Sequence, residues 1–263
     1  MSDRLQIQHS GPGNVVARVT LNRPEVHNAF DAGLIDEIRR AFAGLAREEP
    51  KTLRAVVLAG NGPSFCAGGD VAWMRASLEL DREGNEQDAM MLAHMYDAID
   101  TCPVPVIARV HGAAMGGGMG LCAVSDLVIA ESGAKFGFTE TRLGILPAVI
   151  APFVIAKIGE SQARALFPGG RRFDAMRALR IGLVQGIHDP VLDHAVETAR
   201  ILASKSPLAL RSAKRLLNLA PNGGHEANLA AEAALFGELF ESADAHEGLT
   251  AFVEKREAHF TGR

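Results

Sequence analysis

Apolar positions in the first 130 residues fall into short runs separated by stretches with helical spacing. Val15 to Leu21 alternates as a half-buried strand does. Leu53 to Gly60 and Val104 to Val110 are continuous and valine-rich, the signature of buried strands. Leu127-Val128-Ile129-Ala130 adds another short strand. Asp31 to Glu48 sets Leu34, Ile38, Phe42 and Leu45 on one helical stripe, with Asp31 as its N-cap. Strand, helix, strand in that order predicts an α/β architecture with right-handed crossovers.

From Glu160 onward the pattern becomes helical. Glu160 to Phe167, Asp174 to Ile181, Val191 to Ala203, Pro207 to Leu219 and His225 to Glu241 each read as a helix, with Gly, Pro or Asn between them. Phe236 and Phe240 stand four apart on the last of these, an apolar stripe that needs burial against this domain or another subunit. The path of Ser77 to Tyr96 is not fixed by the pattern.

Two glycine-rich stretches interrupt this scheme, each just after a predicted strand: Phe65-Cys66-Ala67-Gly68-Gly69-Asp70 and Gly112 to Gly120. Clustered glycines mark either tight turns or surfaces where a ligand approaches the main chain. The second stretch runs into Leu121-Cys122-Ala123-Val124, small and apolar like a buried helix. A helix starting inside the glycine run directs free N–H groups and a positive dipole end at its neighbour, which suits an anionic oxygen. Glu140 follows as a single acid. Gly118-x-Gly120-x-x-Ala123 formally fits a dinucleotide fingerprint, but too few residues precede Asp126 and the next strand for the crossover helix of such a unit.

Composition narrows the choice further. With 263 residues, 48% of them apolar, the chain can bury one large core, and a net charge of −4 offers no global attraction to nucleic acid or anionic membranes. No segment reaches the roughly 20 apolar residues of a membrane span, and Met1 to Leu5 lacks the apolar core of a signal. Cys66, Cys102 and Cys122 read as reduced thiols in a cytoplasmic protein, with Cys66 a small buried hydrophobe rather than a nucleophile. The nine histidines show no metal-ligand spacing, so no metal is expected. His111, beside the glycine run, is the histidine with the best claim to a site role.

Taken together, these segments resemble the enoyl-CoA hydratase/isomerase (crotonase) superfamily. The resemblance is carried in order by Leu21-Asn22-Arg23-Pro24 with Asn28-Ala29, the Phe65 to Asp70 motif and His111 to Leu121. It continues through Phe136 to Glu140 with Leu143 to Pro147, then Phe173-Asp174-Ala175 with Gly182-Leu183-Val184. It implies an α/β spiral of ββα units over 1–200 and a helical oligomerisation region over 201–263, assembled as a homotrimer or dimer of trimers. It implies an acyl-CoA substrate held at its thioester oxygen by the N–H groups of Ala67 and Gly117. Val26, Ala67, Gly68, Gly69, Asp70 and Gly117 would line the path of coenzyme A, which is part of the substrate, so that no separate cofactor is expected.

Glu140 matches one of two catalytic glutamates of the family, and Gly120 stands where the other belongs. Water addition across the α,β double bond is the expected reaction, with isomerisation through a lone Glu140 as the alternative. Val71 to Met74 and Ile145 to Pro152 resemble a bacterial branch acting on 3-methylglutaconyl-CoA. On that reading the missing side chain at residue 120 leaves room for a branched or carboxylated acyl group. An RNA-binding branch carries a lysine-rich first helix, whereas Asp31 to Glu49 has no lysine.

Overall fold

The computed structural model describes residues 4–219 and 225–263; the N-terminal residues read above for a signal lie in part outside them, as do residues 220–224 of the expected C-terminal region. Six strands form the larger sheet: β1 (Leu5–Ser10), β2 (Val16–Leu21), β3 (Ala55–Gly60), β4 (Val106–Val110), β6 (Leu127–Ala130) and β9 (Gly186–Ile187), adjacent in that order. β1 is antiparallel to β2, and the remaining pairs are parallel. A smaller sheet orders β5 (Ala113–Met115), β7 (Lys135–Gly137) and β8 (Arg172–Asp174).

The chain passes repeatedly from the larger layer to the smaller. β4 is followed by β5, and β6 by β7. β3 is followed by Cys66, which bridges Ala114, and β2 by Phe30, which bridges Gly69. Each turn thus leaves one strand in the first sheet and a shorter extended piece in the second, and most turns then enter a helix. That is the expected spiral of ββα units.

Alternate residues of the larger sheet enter two separate cores. Val16, Ala55, Val57, Ile107 and Ile129 pack on Ala195, Ala199 and Ala203 of α8 (Val191–Ala203). Their neighbours Ala17, Val19, Val56, Leu58, Ala108 and Val128 face the main core inside the spiral. β2 was expected to be half-exposed, yet five of its six residues are buried. Helix α8 on one face and the main core on the other explain this, because together they leave its pleat no open face.

Helix α1 (Ala32–Leu45) buries Leu34, Ile35, Ile38, Phe42 and Leu45, and Asp31 caps it by accepting from the Leu34 N–H at 2.8 Å. The unplaced segment, Ser77 to Tyr96, runs from the end of α2 (Val71–Ser77) into α3 (Arg82–Asp100), which packs beside α1 and buries Met95, Tyr96 and Ile99. The glycine run enters α4 (Gly117–Val124), followed by α5 (Ala151–Ile158), α6 (Glu160–Leu166) and α7 (Ala175–Arg180). The helical final third continues through α9 (Pro207–Leu219), α10 (His225–Phe240) and α11 (Ala243–Glu254), the last not anticipated. Lys214 of α9, 6% exposed, ties this region to the core through Asp126 at 2.7 Å, whose carboxylate also accepts from the Val106 N–H.

Candidate active site

The Phe65 to Asp70 motif is extended up to Gly68, where φ turns positive, and lies between two neighbours. Cys66 exchanges backbone hydrogen bonds with β5: its N–H donates to Ala113 and its carbonyl accepts from Met115. Successive residues of an extended chain face opposite sides. Ala67 accordingly turns the other way and donates its N–H to the His27 carbonyl at 3.0 Å. Gly68 O and the Asp70 N–H also face that side, pairing with Phe30. The positive φ of Gly68 breaks the alternation, so Gly69, held opposite Phe30 through its two neighbours, turns its own N–H away from that side, and no backbone acceptor takes it.

The sequence expectation placed a thioester donor at Ala67. Its N–H is already committed to His27, so the available donor in this motif is two residues further on, at Gly69. Ala67 still lines the cavity beside the site. Gly117, the other residue expected to donate, is the first residue of α4, and its N–H has no acceptor inside the helix and no side-chain cap. The two glycine stretches touch: a Cβ on Gly68 would lie 3.5 Å from the Gly117 nitrogen and 3.0 Å from the Met115 carbonyl oxygen. With φ of +95° at Gly68 and +49° at Gly116, a side chain at either residue would strain the backbone.

Glu140 opens a short 3-10 turn, Glu140–Leu143, immediately beyond β7. A Cβ on Gly116 would meet its Oε1 at 3.6 Å, so the carboxyl group sits against the glycine run. Its Oε2 is buried without a hydrogen-bond partner. Burial raises the Glu140 pKa, outweighing the N–H groups of Glu140 and Thr139 that favour the charged form. A carboxylate with one oxygen unsolvated and a raised pKa is poised to take up and release a proton.

The other predicted residues divide. Val26 is half-buried on the loop before α1. Asp70 lines no open surface: its carboxylate caps α2 through the Ala72 N–H at 2.8 Å and pairs with Arg23 at 2.9 Å. Burial pushes the Asp70 carboxyl up, but Ala72 and Arg23 together hold it below the ordinary range. Cys66 is fully buried and its thiol is pushed up to about 12, which removes it as a nucleophile. His111 points its Nε2 at the Gly62 carbonyl, 2.8 Å away, and braces a turn.

Gly120 corrects an expectation. A Cβ there would lie 2.5 Å from Ile150 Cγ2 and 2.6 Å from Tyr96 Cζ. The volume of the absent side chain is filled by these residues, so no space remains there for an acyl branch. Sequence reasoning missed Tyr96, whose available signal was that it is the chain's single tyrosine. It also missed Asn28 as a structural pin. Fully buried at φ +56°, Asn28 donates to the carbonyls of Asn61 and Ser64 and accepts from the Arg23 N–H.

The comparisons agree with this architecture. Residues 11–263 match the enoyl-CoA hydratase/isomerase family. A 2,3-dehydroadipyl-CoA hydratase of Escherichia coli is 34% identical over 94% of this chain and 96% of its own length. An enoyl-CoA isomerase/hydratase of Mycosarcoma maydis is 32% identical over 94% of this chain and 93% of its own. Pseudomonas aeruginosa AtuE superposes with a TM-score of 0.91 at 37% identity, covering 97% of this chain and 98% of that one. A spiral that brings two glycine-rich turns and one buried carboxyl group together defines an enzyme of CoA-thioester metabolism. The chain belongs to the enoyl-CoA hydratase/isomerase (crotonase) superfamily.

Proposed function

We propose that this enzyme hydrates enoyl-CoA thioesters, with the N–H groups of Gly69 and Gly117 holding the thioester oxygen and Glu140 as the acid/base. The observation that carries the reading is the Glu140 carboxyl group, with an unpartnered buried oxygen, packed against Gly116 in a corner where the N–H groups of Gly69 and Gly117 are unused. Water adds to the β-carbon only if negative charge can collect on the thioester oxygen as an enolate. Two preorganised donors stabilise that charge, each by about 3 to 4 kcal/mol, and a positioned acid/base adds roughly 3 to 5 kcal/mol. Glu140 takes a proton from water as its oxygen attacks the β-carbon, and the α-carbon then receives a proton from Glu140 or from a second water.

The name of the Escherichia coli relative supports hydration, and that of the Mycosarcoma maydis relative covers both reactions. Isomerisation is favoured by one feature, the absence of a second carboxylate at Gly120, since a lone acid suffices to move one proton between two carbons. A cavity of about 610 Å³ beside the site is lined by His27, Ala67 and Met115, together with Lys135, Arg142 and Arg172. Those three cations have no carboxylate partner among the described residues, which suits the phosphates of coenzyme A or an acyl carboxylate. A branched or carboxylated acyl group such as 3-methylglutaconyl remains supported by motif resemblance alone. No cofactor beyond the substrate's own coenzyme A enters the mechanism. Exposed Phe236, Phe240, Phe252 and Val253 make the C-terminal helices the proposed surface for further copies of the chain.

Turnover of a panel of straight, branched and carboxylated enoyl-CoAs, followed by product mass, tests the reading. Hydration adds the mass of water to the substrate. A product of unchanged mass with a shifted double bond would replace hydration by isomerisation, and a crotonyl preference would count against a branched substrate.

A further inference from the structure

Tyr96 lies behind the site rather than in it. Its ring is fully buried, edge-on to Phe30 at 6.5 Å and tilted to Phe153 at 6.2 Å. Its hydroxyl donates to the Gly117 carbonyl at 2.7 Å. Burial first, and then the neighbouring Cys66 and Glu140, raise its pKa well above the ordinary phenol value, so the group stays a hydrogen-bond donor.

The residue it holds follows a peptide carbonyl, that of Gly116, which accepts from the Met119 N–H at 2.9 Å. Helix α4 begins with Gly117 and Gly118 after Gly116 at its N-cap and has no side-chain cap, and glycine restrains its own backbone less than any other residue. A donor N–H stabilises an oxyanion only if it is already aimed where charge will develop. The same ring also bars a side chain at residue 120, where a Cβ would lie 2.6 and 2.7 Å from its Cζ and Cε1. At Gly117 a Cβ would meet the hydroxyl at 3.1 Å and Phe30 at 2.6 Å.

We propose that Tyr96 is a positioning residue that holds the Gly117 carbonyl and, through the shared Cα, keeps the Gly117 N–H of the preceding peptide aimed at the thioester oxygen, and that with Ile150 it occupies the volume of a second carboxylate, leaving acid/base work to Glu140 alone. This rests on the reading of Gly117 as a thioester donor. Tyr96 is fully buried and acts through the backbone it holds.

The test uses Tyr96→Phe, which keeps the ring and removes the hydroxyl, and an aryl-conjugated enoyl-CoA whose absorbance moves to longer wavelength when its carbonyl is polarised. The unaltered protein is expected to shift the bound absorbance. Tyr96→Phe is expected to lose at least half of that shift and about 5- to 20-fold in kcat, with KM within twofold. Phe153→Leu, which alters packing on the same ring, is expected to lower Tm and keep the shift, separating positioning from stability. A Tyr96→Phe protein with the full shift and unaltered kcat would overturn the proposal while leaving the Gly117 reading in place. No shift in the unaltered protein would overturn the Gly117 reading and the proposal with it.

Discussion

The larger sheet and the catalytic corner are built from neighbouring stretches of chain by opposite rules. In the sheet, β2, β3, β4 and β6 pair along their lengths and send alternate side chains into two apolar cores. In the corner, glycine replaces side chains, φ turns positive at Gly68 and Gly116, two N–H groups lack acceptors and a carboxylate oxygen is buried alone. Unmet hydrogen-bonding capacity of this kind costs stability in the empty protein and becomes useful only when a ligand supplies the missing partner. The contrast teaches where substitutions should affect turnover and where they should affect stability.

The largest expected effect falls on the corner. Glu140→Gln should reduce kcat about 10³-fold, roughly 4 kcal/mol, while Tm holds or rises because a poorly solvated charge is gone. Steady-state turnover and a thermal scan measure both, and near-native turnover would break the assignment. The sheet gives the mirror image: Ile107→Ala, fully buried between β4 and α8, should cost about 3 kcal/mol of stability in denaturant titration with kcat almost unchanged.

Gly120→Ala sharpens the boundary between the two regions. A methyl group forced against Tyr96 and Ile150 should cost about 2 kcal/mol by overpacking, seen as a lower denaturation midpoint. A neutral outcome would mean that the wall behind the site yields more easily than a packed core. The smallest effect concerns pH. Glu140 must be ionised to act as a base and its pKa is raised, so kcat/KM should climb with pH through a value above that of an ordinary glutamate. A limb at the ordinary value would mean that the corner is wetter than its buried Oε2 indicates.

Legibility in the sequence followed the same division. Strands β3, β4 and β6 and helices α1, α8 and α9 were readable because periodicity reports burial, and Asp31 announced its helix by type and place. Strand β1 escaped because it is an exposed edge, and β5, β7 and β8 because three residues are too short to show a period. At the site, glycine density and a lone acid located the corner. The pairing that commits the Ala67 N–H to His27, and the break at Gly68 that frees that of Gly69, depend on which segment lies on each side, and tertiary pairing alone determines that. The filling of position 120 by a residue on α3 was equally beyond any local pattern.

Arg23 gives the corner an unexpected mechanical character. Its backbone N–H bonds the Asn28 side chain, its carbonyl accepts from the Val26 and Asn28 N–H groups, and its guanidinium reaches Ala29 O, Asp31 and Asp70. The loop carrying Val26, the cap of α1 and the cap of α2 are therefore fastened at one hub. Such a loop does not flap freely over a ligand; it opens only when several bonds release together, as a rare local unfolding event. An acyl-CoA approaching that edge meets a rigid jaw, and any rhythm of admission and release must come from other parts of the rim.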